Sequence, residues 1–312
     1  MFGIITIAQG QKRYIDMAKM LAVSLTISNP AIKRAVISDA PPAEFQGLYD
    51  IYIPYNAAYG KGLSQKLYLD KYTPFEETLF IDSDCLVLDS LDQVMEVCRK
   101  YTFVVYGDQV NSGEWAMDVS AMCNRFGLPS IPRFNGGTYY FTNNEVAHNI
   151  FDRARQLNEK YDELGFAKFR GSINEEPLIA VAMALNNVEA VDDKGTAMRT
   201  PIGINGPFTI DVLNKKCAFE KSGEFVEPVI IHFAGSFADA FHYKREIKKL
   251  KLARSAPFLN KRLISMAINA CYNIPYATLV FFKRILKIII RGERFDFNNT
   301  LPVFSNLSWT SR

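Results

Sequence analysis

Two carboxylates one residue apart, Asp82 and Asp84, follow the apolar run Thr78–Ile81 in the stretch FIDSDCLVLDSLDQV. That run is short and partly β-branched, which predicts a buried strand ending where the acids begin. Alternate side chains of extended chain share a face, so both acids are expected to point the same way from the carboxyl end of the strand, where open α/β sheets take their ligands. Two like charges in a partly buried site repel each other and lose solvation unless a cation lies between them. A divalent metal is the expected occupant. A D-x-D triplet alone is also what a loop or a helix cap looks like, so its meaning depends on the elements around it.

Those elements alternate. Ile4–Ala8, Ala35–Ser38 and Ile51–Ile53 read as strands, and Tyr14–Ser28 as an amphipathic helix with Met17, Leu21 and Leu25 at helical spacing. A helix is predicted to end over Lys66–Lys71, just before the Asp82 strand. Leu91–Lys100 reads as a helix, Thr102–Tyr106 and Tyr139–Thr142 as strands, and 145–162 as a long helix. The pattern implies an α/β fold with a mostly parallel, layered sheet. Neither G-x-G-x-x-G after the first strand nor G-x-x-x-x-G-K-[ST] occurs, which excludes the usual dinucleotide and P-loop phosphate cradles. A phosphorylated ligand at these strand ends would need a metal and scattered basic groups to neutralise it.

Composition sets further bounds. With 312 residues, 48% hydrophobic and 22% charged, the chain is long enough for one large domain and an appendage. Cys85, Cys98, Cys123, Cys217 and Cys271 are odd in number, widely spaced and without C-x-x-C, which points to a reducing compartment and away from a disulfide framework or a cysteine-rich zinc site. The N-terminus MFGIITIAQG has no basic leader region and is expected to be the first strand rather than a signal peptide. The N-x-S/T sites at Asn298 and Asn306 are then accidental. From Lys244 to Arg294, thirteen Lys and Arg face only Glu246 and Glu293, so this stretch carries +11 of a chain whose net charge is +3, and the remainder carries −8.

Several segments, taken in order, resemble the retaining nucleotide-sugar glycosyltransferases of family eight, the group of glycogenin and the bacterial lipopolysaccharide galactosyl- and glucosyltransferases. They are YIDMAKMLAVSL, SQKLYLDKYTPFEETLFIDSDCLVLDSLDQV, RFNGGTYYF, NEEPLIAVAM and VIIHFAGSF, which together span roughly Ile4 to Phe237. The resemblance implies a glycosyltransferase A-type (GT-A) fold, a Rossmann-like mixed sheet flanked by helices, over residues 1–255. It implies Asp82, Asp84 and His232 as ligands of Mn²⁺ or Mg²⁺, a set of oxygens and one imidazole that suits manganese better than a soft-ligand metal. It places Tyr14 near the uracil base, Lys66 at the donor, Asn135, Gly136 and Gly137 against the sugar, and Glu175 and Glu176 at donor sugar or acceptor. The implied activity is transfer of a hexose-type sugar from a UDP donor to a glycan or glycolipid acceptor with retention. His148 and His242 are left as surface residues.

Two positions depart from the family pattern. Ala238 stands where a lysine usually ends H-x-x-G-x-x-K, so Lys244, Arg245 or another group must neutralise the departing diphosphate. Glu175 and Glu176 replace an Asp-Gln pair, which leaves donor and acceptor specificity open.

The basic C-terminal segment, 256–312, contains ATLVFFKRILKIIIR, in which Lys283, Lys287 and Arg291 recur every fourth residue among apolar ones. On a helix this makes a basic stripe beside a broad apolar face, too short to span a bilayer and suited to an anionic membrane surface through 277–294. The corresponding location is cytoplasmic, peripheral on the inner face of a membrane. A helix packed on the main domain is the competing reading. The basic residues alternate with aliphatic groups rather than stacking aromatics, which argues against nucleic acid. Two other function classes remain: a haloacid-dehalogenase-like phosphatase using Asp82 and Asp84, with Lys168, Asp192 and Asp193 as its later residues, and a non-catalytic scaffold derived from a transferase.

Overall fold

The β-branched run at the amino terminus forms β1 (Phe2–Ala8) in the computed structural model, which describes residues 1–291. Helix α1 (Lys12–Ser28) returns the chain and buries Met17, Leu21 and Leu25, as their spacing predicts. β2 (Lys33–Ser38) and β3 (Ile51–Pro54) follow. The predicted helix around Lys66 is instead a 3-10 helix, Gly62–Tyr68, running into one turn of α2 (Leu69–Tyr72), and β4 (Glu77–Ile81) comes next. β5 (Cys85–Val87), α3 (Asp92–Cys98) and β6 (Phe103–Val104) are all short. β7 (Gly107–Val110), α4 (Val119–Phe126) and β8 (Ile131–Phe134) make an excursion whose two strands pair with each other. β9 (Thr138–Thr142), α5 (Glu145–Glu159) and α6 (Glu175–Leu185) complete the first half of the fold. β10 (Met198–Arg199), β11 (Ile204–Asp211), β12 (Lys216–Lys221), β13 (Glu224–Val226) and β14 (Ile230–His232) precede α7 (Phe241–Ser255) and α8 (Lys261–Arg291).

The main sheet has the order β3-β2-β1-β4-β9-β6. Its first four strands are parallel, and β9 runs against both of its neighbours. Alternation along the strands covers both faces: Ile5, Phe80 and Phe141 meet α5 and α6, while Ile4, Leu79 and Ile81 meet α1 and α3. The order reverses between β1 and β4, which opens a crevice beyond their carboxyl ends. Asp82 is the first residue past β4 at that crevice. A second sheet, β10-β14-β5, carries His232 to the same place, because β14 pairs antiparallel with β5 in a register that sets His232 opposite Cys85. The antiparallel sheet β11-β12-β13 was not anticipated from the sequence; its tight turn at Ser222–Gly223 uses left-handed backbone, φ +54° and +86°.

The carboxyl-terminal helices are joined to this body by a buried charge cluster. Glu246, fully buried, accepts from the Val212 N–H at 2.9 Å and Arg245 Nε at 2.8 Å, and forms an ion pair with Lys249 Nζ at 2.9 Å. Lys249 also reaches Asp211 at 3.2 Å, and Asp211 accepts from Ser265 on α8. Arg245 donates to Asn273 of α8 at 3.0 Å. Ile264, Ser265 and Ile268 are buried, so the first turns of the appended segment pack on the main fold. No helix among the described residues is long and apolar enough to cross a membrane. The end of the expected membrane segment 277–294, and Asn298 and Asn306, lie outside the described residues.

Glu246→Ala removes a carboxylate shared by two buried cations and a backbone N–H. It is expected to cost about 3–5 kcal/mol, read from the midpoint of urea unfolding, against a change within about 0.5 kcal/mol for the exposed Lys248→Ala.

Candidate active site

The two acids converge through a turn and not through strand pleating. β4 ends at Ile81, and Cys85 N–H donates to the Asp82 carbonyl at 3.0 Å, closing a reversal over Asp82-Ser83-Asp84-Cys85. This corrects the expectation of an extended D-x-D, and it still brings both side chains to one atom. His232 Nε2 lies 3.1 Å from Asp84 Oδ1 and 3.7 Å from Asp82 Oδ2. The other ring nitrogen, Nδ1, is 2.6 Å from Asn135 Oδ1, which also accepts from the Gly137 N–H at 3.1 Å. An amide oxygen only accepts, so Nδ1 is the donor, and the Nε2 position is presented to the acids.

Lys66 is 5% exposed and has three partners. Its Nζ is 2.7 Å from Asp82 Oδ2, 2.9 Å from Glu175 Oε1 and 3.0 Å from the Gly136 carbonyl. Glu175 Oε1 further accepts from Tyr139 OH at 3.4 Å, while its Oε2 is buried with no hydrogen-bond partner. Glu176 accepts from the Gly136 N–H at 2.6 Å. Both acids stand in the first turn of α6, whose N-cap Asn174 accepts from the Glu176 N–H.

The glycines are there for space. A Cβ on Gly137 would lie 2.4 Å from His232 Nδ1, and one on Gly136 would lie 2.7 Å from Tyr139 OH and 2.8 Å from Glu175 Oε1. Any side chain at either position would displace the imidazole or the buried acid.

Charge follows from this packing. Burial raises the pKa of Asp82 above the ordinary carboxylate value, against the pull of Lys66 and His232. Burial also opposes ionisation of Asp84, but the charge and hydrogen bond of His232 outweigh it and hold that pKa low. Burial works against the imidazolium, yet Asp84 keeps the pKa of His232 above its usual value. Glu176 is pushed up to about 7 by burial and by Glu175 beside it.

Nine of the ten residues predicted for the site are thus gathered in one network. Tyr14 is not part of it; it stands half-exposed on the first turn of α1, with Arg13 over its ring at 5.6 Å. His242 is buried rather than on the surface, set against the rings of Phe208 and Phe241, and burial drives its pKa down to about 3. Arg245, one of the cations expected to replace the lysine at position 238, is committed to Glu246 and Asn273, and Lys244 is exposed on α7. Lys168, Asp192 and Asp193 pair with Asp162, Lys194 and Arg199 and do not join Asp82.

Sequence reasoning missed Cys85, which together with Asp84 and His232 forms a group of ligand atoms within 4.8 Å of one another. Its thiol is fully buried and points at the Gly137 carbonyl, 3.8 Å away, and burial followed by the charges of Asp84 and Asp82 raises its pKa well above the usual thiol value. Asp82, Asp84 and His232 offer two carboxylates and an imidazole, an oxygen-rich set of the kind that suits Mn²⁺ or Mg²⁺.

No known protein family and no curated protein matches the sequence. Solved structures do match its shape. The galactosyltransferase LgtC, in complex with donor and acceptor sugar analogues, superposes with a TM-score of 0.50 at 16% identity, covering 75% of this chain and 87% of LgtC. An active-site Gln-to-Glu mutant of LgtC gives a TM-score of 0.50 at 17% identity, over 75% of this chain and 88% of that one.

Because Glu176 titrates near 7 in the folded chain and from 4.5 when unperturbed, the folded state holds a proton across that window that the unfolded state has released. Stability therefore falls as pH rises through it. Glu176→Gln is expected to remove this component and to gain on the order of 2–3 kcal/mol relative to wild type between pH 5 and pH 8, measured by urea unfolding at both values. The same architecture, a mixed sheet between helix layers with a D-x-D turn at its switch point, makes this a GT-A fold.

Proposed function

We propose that this chain is a metal-dependent glycosyltransferase that moves a hexose-type sugar from a UDP donor to a glycan or glycolipid acceptor with retention of configuration. The observation that carries this reading is the convergence of Asp82, Asp84 and His232 Nε2 at the switch point of a GT-A sheet. Adjacent ligands of an octahedral ion at about 2.1 Å stand about 3 Å apart, and the imidazole-carboxylate spacings of 3.1 and 3.7 Å suit that arrangement. When bound there, Mn²⁺ or Mg²⁺ would supply Lewis-acid stabilisation of the departing diphosphate.

The protein's own groups do the remaining work. Asn135 keeps Nδ1 of His232 protonated and so directs Nε2 at the metal position. Lys66 holds Asp82 and Glu175 in place. Gly136 and Gly137 let the sugar approach the backbone closely, and Tyr14 offers a ring face to the uracil base. The partnerless Oε2 of Glu175 is a ready acceptor for a sugar hydroxyl. Glu176, protonated below about pH 7, lies beside it at the acceptor side. In the transfer, the bond from the anomeric carbon to the diphosphate oxygen breaks and the acceptor oxygen bonds to the same face. The acceptor proton passes to the leaving phosphate, so no protein nucleophile is required and positioning supplies much of the acceleration.

Residues 1–255 form the transferase domain in this reading, and 256–312 are an extension that rests through 277–294 on an anionic membrane surface at the cytoplasmic face. Leu279 and Phe282, exposed on α8 within that segment, support an apolar contact there.

Thermal unfolding with UDP, Mn²⁺ or both tests the site. A shift of several degrees that needs both ligands and is lost in Asp84→Ala is expected, since a ligand at about 100 times its Kd stabilises by about 2.7 kcal/mol. No shift in wild type defeats the donor reading, and binding without sugar transfer marks a scaffold. Deletion of 277–312, which spares the docked turns of α8, is expected to abolish flotation with anionic liposomes; unchanged flotation removes the membrane assignment.

A further inference from the structure

We propose that Arg170 makes a direct contact to the diphosphate of the nucleotide donor. The proposal rests on the donor reading above and adds a residue to that site. Arg170 lies five positions before Glu175, on a reversal closed by hydrogen bonds of 2.8 and 3.0 Å between Phe169 and Ser172. Its backbone is left-handed, φ +51°, a conformation uncommon outside glycine. The guanidinium stacks over the Phe169 ring at 4.9 Å and extends to the segment that follows His232. There its Nη2 lies 2.8 Å from where a Cβ would stand on Gly235, so the glycine makes room for the arginine. One side chain thus spans from the α5–α6 loop that leads into Glu175 and Glu176 to the loop that follows His232.

Two other cations near the site are already committed. Lys66 is committed to Asp82 and Glu175, and Arg245 to Glu246. Ala238 is buried and neutral. Arg170 is exposed, and no carboxylate pairs with it among the described residues; the neighbouring Asp162 is taken by Lys168. Phosphate oxygens reaching beyond the cation held by two carboxylates and an imidazole retain negative charge. A planar guanidinium with forked donors matches that anion.

Calorimetric titration with UDP and with uridine, in the presence of Mn²⁺, separates a phosphate contact from a structural one. Arg170→Ala is expected to weaken UDP about tenfold to a hundredfold, to leave uridine binding and the unfolding temperature unchanged, and Arg170→Lys to recover part of the loss. Wild-type affinity for UDP in Arg170→Ala, or equal losses for UDP and uridine, overturns the assignment while the donor reading stands. Failure of wild type to bind UDP at all overturns both.

Discussion

The site depends on one buried ammonium. Lys66 joins Asp82 at the end of β4, Glu175 at the start of α6 and the Gly136 carbonyl before β9, three segments that are remote in sequence. Desolvation opposes its charge, but the two carboxylates outweigh that and hold its pKa above the ordinary lysine value. Without it, two acids would be buried against each other and against Asp84, at a cost of several kcal/mol per uncompensated charge. The same bonds position the Gly136 and Gly137 backbone, and through it the volume that the His232 ring fills.

Electrostatics divide the molecule. The crevice gathers Asp82, Asp84, Glu175 and Glu176 around Lys66 and His232. A second buried set, Asp211, Glu246, Arg245 and Lys249, ties α7 and α8 to β11. The first set is rich in acid and suits a cationic ligand. In the second, two acids meet two bases, which suits a structural joint.

Much of this was legible in the sequence where the signal was local. β1, β2, β3 and β4 follow apolar β-branched runs, and α1 follows its 3.6-residue spacing. Asp82 and Asp84 stood out from their place after an apolar run, whereas His232 came in only through the resemblance of its segment to a family motif. What the sequence did not reveal were pairings across long separations: Lys66 with Glu175, Asn135 with His232, and Cys85 with His232. The turn over Asp82–Cys85 was misread because an apolar stretch on both sides mimics a continuous strand. His242 was misplaced because a histidine flanked by aromatic and basic residues looks amphipathic, while its actual neighbours, such as Phe208, come from another element. The Ser-Gly turn between β12 and β13 was a usable hairpin signal that went unread.

His232 and Cys85 are cross-strand partners, and the Asp84 carbonyl accepts from Phe233 N–H at 3.1 Å. Two of the three side chains proposed as metal ligands are therefore held on neighbouring rungs of one ladder, so most of the entropic cost of bringing such a set together is met when the chain folds. The ladder is only three residues long on each strand. Its local opening would scatter the ligand set while the six-stranded sheet stayed intact, so occupancy of the site and the lifetime of this small sheet are coupled equilibria.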